Sequence, residues 1–415
     1  MYRRMSWVWM PLILLIMGCG HKSNPDPLKN SSLPDSGYTH FARMRIAAAQ
    51  STLDRELAPV TKSAALPDAK ESVASLKWLD KNHLASLTIS PDGKVINLTR
   101  LDLTTGSWSK RVALSSDLLD GDATIELFIM PGGKLFIAQI AARTRTIGKN
   151  TLDLAIAQKA FRIDFDSGLA TKASKEEINA ALVERVYFAS TADGDSLAQL
   201  TPCHVFDFAG EEVQTLGFPE YTNGIVAEGL YFIDADVYIN DVGQTYGLIQ
   251  ASYSNDPNEA ELGSMLLAID YDEKQPTLVR LSTEGLLGLS SDGASETRLG
   301  SFTANPYRKA AAWATQEQSF NPNSEGDAIT IDVIHVALPG MASVSIDWAA
   351  AIRTNKTCQL VDQDLGPKDG AIDDTWEQTA LYETRLAWSL DGTRLAYIKS
   401  KSIYIADLTK LFNLK

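Results

Sequence analysis

The sequence predicts an all-β chain: a β-propeller of about six four-stranded blades, within a range of six to eight, behind an export signal and a flexible tether. Three observations predict it. Short, alternating apolar runs recur along the chain. Gly-containing turns separate them at Asp92-Gly93, Gly132-Gly133, Asp193-Gly194, Val242-Gly243, Asp292-Gly293 and Asp391-Gly392, with spacings of 40, 61, 49, 50 and 99 residues. A period of 40 to 60 holding several strands suits small sheets that bury both faces only by stacking on their neighbours. Third, the N-terminal stretch lacks this pattern. A β-sandwich with tight hairpins is the competing architecture, since regular turn spacing marks sandwiches too.

The turns have a chemical basis. In Ser90-Pro91-Asp92-Gly93-Lys94 the proline presets φ at the first turn position and the glycine accepts a positive φ. The expected blades are 72–115, 125–173, 184–217, 235–282, 285–347 and 385–412. The last has three visible strands, so an N-terminal strand is expected to complete it, and Val73 to Leu79 could do so.

The start has a different design. Arg3 and Arg4 precede an apolar run from Trp7 to Met17, broken by Pro11, and then Gly18 and Cys19. That order of charged, apolar and small-residue regions is an export signal, too short to serve as a membrane anchor. Ile16-Met17-Gly18-Cys19 resembles the lipobox of bacterial lipoproteins. The resemblance implies that 1–18 is a signal peptide, that Cys19 is lipidated, and that the protein is held in the cell envelope by its lipid. Gly20 follows Cys19, which implies the outer membrane if the host is Gram-negative. Residues 19–70, with Pro25-Asp26-Pro27 and Asn30-Ser31-Ser32, read as a tether. It carries a weak helical pattern from Phe41 to Leu57 with Phe41, Ile46, Leu53 and Leu57 roughly on one face. The propeller is expected over 71–415, with an acidic insertion near 349–383.

The C-terminal stretch narrows the fold. Leu386-Ala387-Trp388-Ser389-Leu390-Asp391-Gly392-Thr393-Arg394-Leu395-Ala396-Tyr397-Ile398, followed by Ile403-Tyr404-Ile405-Ala406-Asp407-Leu408, resembles the repeat of TolB-like propellers. Leu390 stands where that repeat usually has proline. The resemblance implies a fold and no activity. Asp102-Leu103-Thr104-Thr105-Gly106-Ser107-Trp108 is similar to quinoprotein-type repeats, but a single copy reads most simply as a strand-connecting turn.

Charge limits the partners. The chain carries a net charge of −14, and loss of Arg3 and Arg4 with the signal takes it to −16. Such a surface repels nucleic acid and anionic lipid. There is no G-x-S-x-G elbow, H-E-x-x-H pair, phosphate loop or dinucleotide fingerprint. The five histidines, His21, His40, His83, His204 and His335, are scattered, and no cofactor is expected. Calcium is the exception considered: Asp362, Asp364, Asp369, Asp373, Asp374 and Glu377 fall within sixteen residues around Gly370, and calcium takes six to eight oxygens from such loops. A solvated acidic loop is the alternative. Cys203 and Cys358 are the two cysteines left after lipidation. In an oxidising envelope they invite a disulfide, and two free thiols are the other reading. Both are expected in connections between strands.

These features favour a non-enzymatic module that binds an envelope protein or peptide through long loops on one face. The expected long loops are Ala141 to Asn150, Ser254 to Gly263, Gln316 to Asp327 and the insertion; the tight turns, including Pro91-Asp92-Gly93, are expected on the other face. Acidic residues dominate the long set, so the partner should present a basic surface. The rival is a glycan hydrolase or lyase using carboxylates in the central channel.

Overall fold

The computed structural model describes residues 37–115, 124–129, 135–147, 150–174, 176–177, 187–188, 203–206, 212–216, 221–222, 225–226, 230–239, 245–253, 264–270, 277–280, 288–289, 295–305, 307–320, 328–338, 343–353, 358–362, 366–367, 385–399 and 401–413. These residues are mostly strand, arranged in several antiparallel sheets, as the all-β expectation requires. The first large sheet holds Ser72–Trp78, His83–Ile89 and Val95–Asp102, with Ser107–Trp108 and Val112–Ser115 both paired to the last of these. The next holds Thr124–Ile129, Leu135–Ile147, Asn150–Asp164 and Leu169–Lys172. A three-stranded sheet (Tyr187–Phe188, Cys203–Phe206, Glu212–Leu216) and a four-stranded one (Leu230–Ile239, Thr245–Tyr253, Ser264–Asp270, Thr277–Arg280) follow. A seven-stranded sheet runs from Gly288–Leu289 through Ser295–Asn305, Ala310–Phe320, Ala328–Ala337 and Val344–Arg353 to Cys358–Asp362 and Gly366–Pro367.

The C-terminal sheet is completed from the N-terminal side. Leu386–Trp388, Arg394–Lys399 and Ser402–Asp407 gain a fourth strand, Val60–Ala65, whose Val60 lies opposite Ala406 and Ala65 opposite Ser402. A completing strand was expected, but not this one: Ser72–Trp78 stays in its own sheet, paired to His83–Ile89. Val-Thr-Lys-Ser-Ala-Ala has no apolar alternation because, as an edge strand, it is largely exposed. The tether therefore does not extend to residue 70. Gly37–Ser51 is a helix, ending before the expected Leu57, and its Ile46 is buried on Ile329, Ile331, Trp348, Ala350 and Ile352. Leu53 bridges to Ser345 instead of extending the helix. The insertion begins later than expected. Residues 349–353 continue a long strand, and Cys358–Asp362 adds to the same sheet edge.

Sheets stack through their apolar faces. The C-terminal sheet packs Ala396, Ile398 and Ile403 on Val73, Leu76, Trp78 and Leu84, and its Leu395, Tyr397, Tyr404 and Ala406 pack on Ala312, Ala314, Ile334, Val336 and Ile346. Leu87, Ile96 and Leu98 meet Leu127, Leu135, Ile137 and Ile163. Tyr246, Leu248, Leu266 and Ala268 meet Ala304, Ala311, Trp313 and Ala337. A strand that is apolar on both faces is thus the signature of a sheet covered on both sides.

The two Ser-x-Asp-Gly turns are built alike. Ser389 Oγ donates to Asp391 Oδ1 at 2.6 Å and accepts from the Arg394 N–H at 2.9 Å, while Gly392 takes φ +67°. Ser90 and Asp92 repeat this at 2.6 Å, with Val95 N–H on Ser90 Oγ at 2.9 Å and Gly93 at φ +68°. The surroundings differ. A Cβ on Gly93 would meet nothing within 4 Å, whereas one on Gly392 would lie 2.6 Å from both Arg308 Cγ and Asn305 Nδ2. Gly93→Ala should cost the left-handed strain alone, about 1 kcal/mol. Gly392→Ala should cost about 2–4 kcal/mol, because it also displaces a packed neighbour. Urea unfolding of the two variants checks the difference; equal losses would mean the inter-sheet contact contributes nothing.

Candidate functional site

The sequence-predicted site residues divide sharply. Cys19, Asp364, Asp369, Asp373, Asp374 and Glu377 lie outside the described residues. Asp362 ends a strand, with Gly366 opposite it. Among the described residues no group of three or more His, Cys, Asp or Glu could hold a metal ion. Cys203 and Cys358 each begin a strand, in different sheets, rather than lying in connections as expected.

Hydrogen bonds between neighbouring sheets fix one end of the assembly. Asn305 Nδ2 donates to Gly392 O at 2.9 Å and Arg308 Nε to Asp391 O at 3.0 Å, joining turn 307–309 to turn 389–393. Arg394 then donates to Lys81 O at 2.5 Å, reaching turn 79–82, and its guanidinium lies 4.5 Å over the Trp78 ring. Arg100 pairs with Asp166, in turn 165–168, at 2.9 Å. Tyr246 and Ala268 adjoin Ala304 and Ala311, so the Thr245 end of that sheet lies here too. Asp102-x-x-x-Gly106 and Asp164-x-x-x-Gly168 are equivalent turns at this end. Each aspartate Oδ1 accepts the N–H two residues on, at 2.8 and 2.9 Å, and each glycine has positive φ. The first is therefore a strand-connecting turn, as expected, but not a single copy.

Because the strands alternate in direction, the ends at Ile147, Tyr253, Phe320 and Arg353 fall at the opposite end. The long connections 254–263 and 321–327 start there. Three expectations need correction. Residues 141–147 are not a loop but one arm of a hairpin, Ile147 pairing with Asn150, and turn 90–94 belongs to this end rather than with the tight turns. Glu317 is no loop acid either, since it sits in a strand and pairs with Arg45 of the helix.

Sequence reasoning missed the buried polar groups. Asp347, 2% exposed, receives Lys399 Nζ at 2.8 Å, the Tyr397 hydroxyl at 2.5 Å and the Trp348 N–H at 2.9 Å. Asp332 lies opposite Ala349, which puts it on the same face as Asp347, two residues along that strand. Its Oδ1 accepts from Gln316 Nε2 at 3.1 Å, and burial pushes its carboxyl up to about 8. His335 lies between Thr315 Oγ1 at 2.7 Å and Ser345 Oγ at 3.2 Å and stacks on Trp313; burial lowers it to about 4, so it is neutral at pH 7. Glu71 is a fourth buried node, held by Thr88 Oγ1 at 2.5 Å, Asn97 Nδ2 at 2.7 Å and Arg111 at 2.9 Å. The signal for Asp332 and Asp347 was a charge in a strand apolar on both faces, as in Ala-Ile-Thr-Ile-Asp332-Val-Ile-His-Val-Ala, whereas Glu71 lies just before its strand and gave none.

No protein-family profile matches the chain, and no curated protein matches it. Among solved structures, hydrazine synthase of Kuenenia stuttgartiensis aligns over 82% of this chain and 96% of its own at 11% identity, TM-score 0.33. MPT-4, a mannose phosphorylase from Leishmania mexicana, aligns over 89% and 93% at 6% identity, TM-score 0.33. The gluconolactonase XC5397 from Xanthomonas campestris aligns over 84% and 89% at 10% identity, TM-score 0.23. Similarity at this level carries no functional argument.

Proposed function

We propose that this chain is a lipid-anchored, non-enzymatic protein of the cell envelope, a TolB-like β-propeller of six sheets that binds a basic protein or peptide through one end. The observation carrying this reading is the difference between the two ends: turns bonded sheet to sheet at one, and at the other connections 254–263 and 321–327, beside the short hairpins after Ile89 and Ile147. Long connections on a rigid scaffold are where binding usually resides. A ring is supported by contacts between strands of neighbouring sheets: Ser72–Trp78 with Leu386–Trp388 and Thr124–Ile129, Ser295–Asn305 with Leu386–Trp388 and Leu230–Ile239, and Tyr187–Phe188 with Leu230–Ile239 and Asn150–Asp164. Val60–Ala65 then ties the N-terminal side into the last sheet. Asp256, Glu259, Glu261, Glu325, Asp327 and the Asp369 to Glu377 cluster supply the negative charge. The glycan-enzyme rival needs a carboxylate pair facing the channel. Asp332 and Asp347 are not such a pair, since they lie on the face that packs against the C-terminal sheet.

The test joins anchor and binding end. Cys19→Ser should move the protein from the membrane to the soluble fraction. Converting Asp369, Asp373, Asp374 and Glu377 to amides should abolish the salt-sensitive cross-linked adduct formed in the native envelope, with the melting temperature unchanged. An adduct retained in full, or glycan turnover by the purified chain, would overturn the reading.

A further inference from the structure

One polar site is independent of the binding end. Thr330, Asp332 and Gln316 share the sheet face that carries Asp347. Thr330 and Asp332 alternate along one strand, Gln316 lies opposite Asp332, and Ala349 and Ala351 oppose Asp332 and Thr330 on the other side. All five are buried, Thr330 to 1% exposure and Asp332 to 5%. The two alanines are too short to reach the polar atoms beside them. Asp332 Oδ2 and Thr330 Oγ1 have no hydrogen-bond partner. Two buried oxygens without partners, two residues apart on one face, cost several kcal/mol unless something meets them.

We propose that Asp332 Oδ2 and Thr330 Oγ1 bind a monovalent alkali cation. The available donors are a carboxylate and a hydroxyl, hard oxygen ligands of the kind that suit alkali and alkaline-earth ions rather than zinc or copper, while Gln316 Nε2 holds the other carboxylate oxygen. Charge selects between those two classes. Asp347, the other carboxylate on this face, is already neutralised by Lys399 Nζ at 2.8 Å and bonded by Tyr397, so the site offers one uncompensated negative charge. On the opposite face Arg45 and Glu317 neutralise each other. A divalent ion would leave a net positive charge in an apolar surround, whereas a monovalent ion balances the carboxylate and meets both orphan oxygens. The competing occupant is a proton on Asp332, which burial favours. A proton leaves Thr330 Oγ1 unmet.

The melting temperature of the full chain at pH 8 in equal concentrations of potassium, sodium or choline chloride tests this, because a ligand bound only by the native state stabilises it. Potassium or sodium should raise the melting temperature several degrees above choline in the wild type. Asp332→Asn should lose that difference, and Thr330→Val should reduce it while still melting cooperatively. Equal melting in all three salts, or an alkali advantage that survives unchanged in Asp332→Asn, would overturn the proposal.

Discussion

Replacing Asp347 with alanine should destabilise the protein by about 3–5 kcal/mol, the usual loss when one member of a buried ion pair is removed and its partner is left charged and dry. Lys399 is 6% exposed and Asp347 2%, so water cannot take the place of the missing carboxylate. Three donors lose their acceptor together: Lys399 Nζ, the Tyr397 hydroxyl and the Trp348 N–H. The position also matters, because Tyr397 and Lys399 belong to the C-terminal sheet and Asp347 to the seven-stranded one, so the triad clamps two sheets within an otherwise apolar cluster. Lys399→Met should cost less than Asp347→Ala, since Asp347 keeps the tyrosine and the backbone donor. The double variant Asp347→Leu with Lys399→Met should recover much of the loss, buried ion pairs being replaceable by well-packed apolar groups. Urea unfolding of the three variants measures it. A loss below about 1 kcal/mol for Asp347→Ala would mean that the pair is relaxed and hydrated.

What the sequence disclosed follows from the range of the forces involved. Ser90 to Lys94 and Ser389 to Thr393 were legible as turns because their geometry is set within five residues, by a side-chain hydrogen bond and a positive φ. The strands around them were legible because covering on both faces demands apolar residues at every position. Val60–Ala65 was not, since an exposed edge strand needs no pattern and its pairing with Ser402–Asp407 spans most of the chain. Asp102 to Gly106 and Asp166-Ser167-Gly168 were both legible as turns, but their equivalence was not, because the residues between the aspartate and the glycine differ. Asp332 and Asp347 were hidden for another reason. A charge within an apolar strand reads as a solvent-facing position until a second sheet covers it, and which sheet does so is decided by contacts about 50 residues away or more.

The same burial that hid Asp332 and His335 should make stability depend on pH in a way that separates them. Burial raises the Asp332 carboxyl from 3.8 to about 8, so between those values the native state holds a proton that the unfolded chain has released. Its contribution is complete below pH 3.8 and is lost as pH rises through 8. His335 runs the other way. Burial lowers it from 6.5 to about 4, so between those values the unfolded chain binds a proton that the native state refuses, and stability rises with pH across that window. From pH 4 to 6.5 the two slopes cancel. Among the described residues Asp332 acts alone from 6.5 to 8, and in choline-based buffer stability should fall by about 1.4 kcal/mol per pH unit, or about 2 kcal/mol over that window. The carboxylates held below their ordinary value, Asp102 and Asp164 among them, contribute only at the acid end, where pH falls below about 4. Asp332→Asn should remove the fall above pH 6.5 and expose the rise between 4 and 6.5. His335→Gln should extend the fall down to pH 4. Urea midpoints at half-unit intervals, with the slope of the unfolding transition held constant, measure both effects. The same fall above pH 6.5 in wild type and Asp332→Asn would show that Asp332 is ionised in the native state throughout that range.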